Sequence, residues 1–267
     1  EERLNYGVYR FYKLIQSFTG IVTENTEFFL LTDQTYAVTG KERTLRPYNA
    51  SLIGFSKTLQ WELPLIHCKC IDINEQSSVD NVINEIANRN KDYLVCYRGQ
   101  NRFVEKVQKV ELESTETSGI EIRKHGTYIL IGGLGRLGRR LGSIFQDKQA
   151  NVVIISRSKF VEHSQWEKQY NKEKNGTMRA KLDACINLER KGCKVYTYCC
   201  DVTDYKAMKT TLESIRDNIG PINGIVQLAV DDCGKKINEQ SLEKFKNSLK
   251  PKVYGTEILS RLTANDK

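Results

Sequence analysis

Residues 126–158 read GTYILIGGLGRLGRRLGSIFQDKQANVVIISRS, and their order is that of a nucleotide-binding β-α-β unit. Thr127 to Ile131 is a short apolar run of strand type. It ends in Gly132, Gly133, Gly135 and Gly138, where the chain must turn and enter a helix, and Leu137, Leu141, Ile144 and Phe145 then recur at helical spacing. The spacing Gly133-x-Gly135-x-x-Gly138 permits a tight turn, lets backbone approach a pyrophosphate and allows close helix-strand packing, while free N–H groups at the helix start attract the anion. A second strand, Asn151 to Ile155, delivers Ser156-Arg157-Ser158 to the place where an NAD-preferring fold carries an acidic residue for the ribose 2′-hydroxyl. A cation there fits a 2′-phosphate, so the expected cofactor is NADPH. A glycine turn alone is common between strands and helices. Arg157 alone reads equally well as a solvated surface arginine; their joint placement carries the inference.

The 267 residues suffice for one large α/β domain or two smaller ones, and the 39% apolar content is enough to bury a core. No apolar stretch approaches the roughly 20 residues that span a bilayer, and EERLNYGVYR lacks the basic-then-apolar order of a signal peptide, so a soluble cytoplasmic protein without a membrane partner is expected. The eight cysteines form no CxxC pair and several lie in strand-like apolar runs, so they read as reduced core residues rather than metal ligands or disulfides. The formal charge of +8 and pI near 9.0 admit nucleic acid as a partner. The lysines, however, are scattered over helical faces rather than clustered with aromatics, which favours solvated faces over a nucleic-acid patch. A mildly basic surface also suits an acidic protein partner.

Strand-like and helical segments alternate throughout, which predicts an α/β fold with parallel sheets flanked by helices. In the first part, Glu27–Thr32, Cys68–Ile73 and Tyr93–Arg98 read as strands, and Asn49–Leu63 and Ser78–Asn88 as helices. No glycine fingerprint follows any of these strands. Residues 1–110 are expected to form one unit, the polar run 111–125 a connector, and 126–267 a second unit. In that second unit a polar insertion (Glu162 to Thr177) precedes a helix bearing Leu182, Cys185 and Ile186. A strand at Lys194–Cys199, a helix with Met208, Leu212, Ile215 and Ile219, and an apolar strand at Gly224–Val230 follow. Two helices close the sequence, with Pro251 in the first turn of the second.

With these residues in order, the chain resembles the ketoreductase domain of modular polyketide synthases, a two-part member of the short-chain dehydrogenase/reductase superfamily. The resemblance spans nearly the whole chain. PYNASLIGFSKTLQWELPLIHCKCIDI and YLVCYRGQNRFVEKV look like the family's cofactor-free structural subdomain. IGGLGRLG, SRS at 156–158, DVTD at 201–204 and LKPKVYGTEIL at 249–259 look like its catalytic subdomain. The resemblance implies that Gly132, Gly133, Gly135 and Gly138, with Arg136 beside them, hold the NADPH pyrophosphate. It places Ser156 and Arg157 at the 2′-phosphate, Asp201 and Val202 at the adenine edge, and Ala229 beside the nicotinamide ribose. Lys252 falls where the family keeps a catalytic lysine, and otherwise reads as an ordinary lysine at a helix start. In that chemistry NADPH delivers hydride to a β-ketone on an acyl carrier protein, a tyrosine donates the proton and a serine binds the oxyanion. The implied partners are that carrier protein and the other domains of a synthase.

Departures from the family pattern bear on activity. The family's serine and tyrosine lie on elements that follow the lysine helix, and the sequence ends soon after Lys252. No turnover is therefore expected of this chain in isolation. The YxxxK strings at Tyr170 and Tyr205 fall on the wrong elements and read as chance. Ile131 replaces a threonine, Arg136 sets a bulky cation beside the turn, and Gln227-Leu228-Ala229-Val230 stands where small residues make room for the ribose. The Leu-Asp-Asp signature of one stereochemical class is missing: Asp231-Asp232 precede its ungapped position, which Asp232-Cys233-Gly234 occupy. An apolar last strand at 224–230 would leave an open edge of the kind sheets avoid, so the second sheet is expected to be incomplete. Two readings result: an NADPH-dependent ketoreductase, or a non-catalytic pseudo-ketoreductase that serves as a scaffold. A free-standing nucleotide-binding or RNA-binding protein fits the charge but not the first half.

Overall fold

The structure, a computed structural model, describes residues 2–88, 90–110, 121–174, 176–231 and 234–266. The chain divides into two units, Glu1–Glu113 with Gly234–Phe245, and Ser114–Cys233 with Lys246–Lys267. Glu111–Ile120 of the expected connector lie outside the described residues.

In the first unit, α1 (Glu2–Leu4) and α2 (Arg10–Phe18) precede β1 (Thr26–Asp33), α3 (Asn49–Glu62), β2 (Ile66–Ile73), α4 (Val79–Ala87), β3 (Leu94–Arg98) and β4 (Asn101–Val104). The sheet order is β1-β2-β3-β4. The first three strands are parallel, and β4 returns antiparallel to β3. The strands expected from the sequence end at Arg98; the structure adds β4, and Gly99, at φ +61°, is the turn residue that allows the reversal. Ser78 caps α4 in a reciprocal box with Asn81. Because the parallel strands advance in one direction, this sheet lacks the reversal of strand order at which nucleotide crevices form.

Charged side chains bind the strands of this unit together. Asp72 is fully buried and accepts from Thr32 Oγ1 (2.7 Å), Thr35 Oγ1 (2.6 Å) and Arg98 (2.8 Å). Arg98 also donates to Glu42 and to the Tyr36 carbonyl. A second buried carboxylate, Glu85, accepts from Arg102, Tyr97 and Asn90.

Gly234–Phe245 joins this unit, which corrects the expected assignment of everything after residue 126 to the second. Aromatic packing and backbone hydrogen bonding account for it. The Tyr12 ring stacks on Phe245 at 4.1 Å, its hydroxyl donates to the Gln240 carbonyl at 2.6 Å, and the Ile237 N–H donates to Glu62.

The second unit contains β5 (Thr127–Ile131), α5 (Arg136–Leu141), β6 (Asn151–Ser156), α6 (Trp166–Lys172), α7 (Thr177–Arg190), β7 (Lys194–Cys199), α8 (Tyr205–Asn218) and β8 (Ile222–Gln227). The helix α9 (Leu242–Lys250), within which the division falls, leads through a wide turn at Pro251–Gly255 into α10 (Thr256–Leu262). The sheet order is β7-β6-β5-β8, all parallel. Strand alternation supplies two cores. Tyr128, Leu130, Val152 and Ile154 face Phe145, Leu182 and Cys185. Ile129, Ile131, Val153 and Ile155 face Met208, Leu212, Ile215 and Leu259. The fold is α/β, with helices on both faces of a parallel sheet.

Several details differ from the sequence reading. The helix after the glycines tightens at Gly142–Lys148. It buries Gly138, Gly142 and Phe145, whereas Leu137 and Ile144 are exposed. The polar insertion holds α6, anchored by buried Trp166, whose indole N–H donates to the Val161 carbonyl at 2.8 Å. Strand β8 ends at Gln227, so Leu228–Val230 form a loop beyond it. Among the described residues β8 pairs with β5 alone and is an edge. Cys199 is exposed, unlike Cys70, Cys96, Cys185, Cys193 and Cys200.

Candidate functional site

The chain runs from β5 outward to β6 and β7, then returns to the other side of β5 as β8. This reversal opens a crevice at the carboxyl ends of β5 and β8, and the glycine turn lies at its base. The turn is held by the Gly132 N–H donating to the Ile155 carbonyl (2.8 Å), Gly133 N–H to Leu130 (3.2 Å) and Gly135 N–H to Gly132 (2.9 Å). Gly132 has φ +76°, and a Cβ there would stand 3.0 Å from the Ala229 nitrogen. A Cβ on Gly138 would fall 2.5 Å from the Gly133 Cα, so helix and turn touch backbone to backbone. The first helical bond runs from the Arg139 N–H to the Gly135 carbonyl. The amides of Arg136, Leu137 and Gly138 precede it and are the donors a phosphate can take.

Ser156 and Arg157 follow at the end of β6. The Ser156 hydroxyl donates to the Ser158 carbonyl at 2.8 Å, and the Cys199 thiol contacts the Arg157 carbonyl at 3.3 Å. The Arg157 guanidinium stands 3.7 Å from the Asp231 carboxylate, both side chains being largely exposed. At the end of β7, Asp201 Oδ1 accepts from the Thr203 N–H and hydroxyl, both at 2.8 Å, and fixes the turn. Asp204 then caps α8 through the Ala207 N–H. Val202 is buried, and a Cβ on Gly255 would lie 2.9 Å from its Cγ1, so its side chain packs beneath the Pro251–Gly255 turn.

Gln227, whose hydrogen bonds the sequence does not reveal, ties the loop after β8 to that turn. Its Oε1 accepts from the Ala229 N–H, and its Nε2 donates to the Pro251 carbonyl, each at 2.9 Å. Lys252 follows Pro251 and is exposed. Val230 is 61% exposed. The structure thus brings Gly132, Gly133, Gly135, Gly138, Ala229 and Arg157 to one sheet end. Arg136 instead lines an open groove of about 610 Å³ with Arg139 and Arg140, facing Asp183 and Ala184 of α7. Tyr170, on α6, donates to Asp183 of α7 at 3.3 Å. No sequence signal announces the contacts of Gln227 and Asp231, because they arise from the strand reversal that brings their loop beside β5. Asp232 and Cys233 lie outside the described residues. Among the described residues no helix is long and apolar enough to cross a membrane.

Residues 126–267 match the model of the KR domain family. The polyketide synthase PksM of Bacillus subtilis (strain 168) is 25% identical over 228 residues, which cover 83% of this chain and 5% of that protein. A highly reducing polyketide synthase of Didymella fabae is 30% identical over 141 residues, 52% of this chain and 7% of its own length. The crystal structure of a ketoreductase domain from the bacillaene assembly line aligns with a TM-score of 0.77 at 20% identity, covering 96% of this chain and 56% of that one. An N-terminal ketoreductase from the macrolactin assembly line aligns with a TM-score of 0.70 at 22% identity, covering 98% and 50%. The chain therefore spans about half the length of these ketoreductase structures and a small part of the synthases. The structural likeness shows the fold, and the family match extends over more than half of the sequence. On this evidence the chain belongs to the KR domain family, the ketoreductase domains.

Proposed function

We propose that this chain is part of a polyketide-synthase ketoreductase that reduces a β-ketoacyl group, carried on an acyl carrier protein, to the β-hydroxyacyl form with NADPH. One observation carries the reading: the glycine turn sits at the reversal of strand order, with a cation, Arg157, ending the adjacent strand. The residues fit a dinucleotide, because Gly132 lies backbone against backbone on Ala229 and Gly138 on Gly133, the tight turn and close helix packing that such a site needs.

When bound, the nicotinamide supplies hydride to the β-carbonyl carbon. The chain's own residues bind and orient. The turn amides and Gly132–Gly138 take the pyrophosphate, Arg157 with Ser156 takes the 2′-phosphate, and Asp201 and Val202 border the adenine. Ala229, held by Gln227, borders the nicotinamide ribose, and Lys252 carries a proton at Nζ for the relay that restores the proton donor. The basic charge of +8 suits an acidic carrier protein, and the synthases that the chain resembles support neighbouring synthase domains as partners.

A scaffold without cofactor is the second reading. The Arg157–Asp231 pair favours it, because that pair engages the cation that the ketoreductase reading assigns to the 2′-phosphate. Titration with NADPH and NADH separates the two: preferential NADPH binding that weakens in Arg157→Ala supports the ketoreductase, and a folded protein that binds neither supports the scaffold.

A further inference from the structure

We infer that Asp231 sets how strongly the crevice takes a 2′-phosphorylated adenosine, by holding Arg157 in the ligand-free protein. The inference rests on the reading of Arg157 as the 2′-phosphate residue.

Arg157 lies just beyond β6 and Asp231 a few residues beyond β8, on opposite sides of β5. Neighbouring strands are about 4.8 Å apart, so the ends of β6 and β8 are separated by roughly 10 Å. The pair closes that distance to 3.7 Å between Arg157 Nη1 and Asp231 Oδ2. It therefore spans the carboxyl end of β5, where Gly132 meets the Ala229 backbone. A 2′-phosphate that takes Arg157 must part the two side chains.

The Arg157 backbone does not have to move with them. Its carbonyl is held by the Cys199 thiol, and the neighbouring Ser156 hydroxyl bonds the Ser158 carbonyl. Only the guanidinium changes partner. A 2′-phosphate brings between one and two negative charges to a position that Asp231 already occupies with one. The carboxylate thus acts twice against it, as a competitor for Arg157 and as a like charge beside the phosphate. Both side chains are largely exposed, so the effect is modest and sensitive to salt. A 5′-phosphorylated adenosine without the 2′-phosphate is indifferent to the pair. Asp231 is accordingly a specificity-determining residue that lowers the preference for NADPH over NADH.

Calorimetric titration of the whole chain with adenosine 2′,5′-bisphosphate and with 5′-AMP tests this. The Asp231→Asn variant is expected to bind the bisphosphate about five-fold more tightly while AMP binding changes less than two-fold. The gain should vanish in an Arg157→Ala background, shrink at high salt and be absent from Asp231→Glu. An unchanged bisphosphate affinity, an equal gain for both nucleotides, or a gain that survives loss of Arg157 overturns the role of Asp231. If the wild-type chain prefers the bisphosphate and only Asp231 proves irrelevant, the cofactor reading stands. If neither wild type nor Asp231→Asn distinguishes the nucleotides, the 2′-phosphate reading and this inference fall together.

Discussion

Gln227 and Pro251 are joined by a hydrogen bond of 2.9 Å from the glutamine Nε2 to the proline carbonyl, while the same amide accepts the Ala229 N–H. One side chain therefore fixes both the loop over the glycine turn and the turn that carries Lys252. Gln227→Ala leaves two backbone groups without a partner and should cost about 1–3 kcal/mol. Thermal unfolding should show a lower midpoint, and nucleotide affinity should fall as the loop is released. Gln227→Glu keeps the acceptor and loses the donor, so it should fall between the two.

Gly138 tolerates no side chain. A Cβ would fall 2.5 Å from the Gly133 Cα, and that neighbour is backbone. Gly138→Ala should destabilise the protein by about 1–3 kcal/mol or more in denaturant unfolding and abolish nucleotide binding. The same substitution at exposed Gly176, which has φ +102° but lies in open space, should leave binding intact.

In the first unit, Arg98 and Asp72 have side chains 5% and 0% exposed. Arg98→Ala strands a buried carboxylate, and breaking such a pair costs about 3–5 kcal/mol. Chemical denaturation should register that loss without any change in nucleotide specificity of the remaining folded fraction.

Acid stability should track two glutamates. Arg102, and after it Lys69, Asn90 and Tyr97, hold the Glu85 carboxyl far below its ordinary 4.5. The Thr39 backbone N–H leads the groups that lower Glu42 to about 2. A carboxylate depressed in the folded state takes up its proton more readily when unfolded. Its contribution is therefore full above pH 4.5 and drains away as the pH falls toward 2 and below. Glu85→Gln should be less stable than wild type at pH 7, and the difference should narrow between pH 4.5 and 2 in unfolding curves.

Thiol chemistry should be selective. Burial raises Cys68 and Cys185 to about 12 and Cys96 to about 11, which keeps them protonated and inert. Cys199 is exposed and touches the Arg157 carbonyl. Mass-spectrometric mapping after brief maleimide treatment should find Cys199 modified ahead of these three, and saturating NADPH should slow its modification.

The second sheet was legible because β5, β6, β7 and α8 are strongly apolar and periodic, with glycines and Arg157 at the strand ends. Tertiary features were not. Leu137 and Ile144 keep helical spacing, yet both are exposed, Leu137 on α5 and Ile144 on the tightened turn that follows it. The return of Gly234–Phe245 to the first unit depends on the stacking of Tyr12 on Phe245, two residues far apart in sequence. Within the candidate site, the glycines and Arg157 follow a local pattern, whereas Gln227 and Asp231 acquire their neighbours only when β8 crosses to the far side of β5. Position in the motif groups Arg136 with the pyrophosphate. In the structure it shares a groove with Arg139 and Arg140, which lie three and four residues on and so on the same helix face.

The proposed 2′-phosphate-selective cofactor site lies at the ends of β5 and β6. Fluorescence titration of the chain and of Arg157→Ala with NADPH and NADH tests it most directly. Wild type should prefer NADPH, and the variant should lose that preference, with its NADH affinity little changed. Binding of neither nucleotide by the folded wild-type protein, or an NADPH affinity indifferent to Arg157, would contradict it.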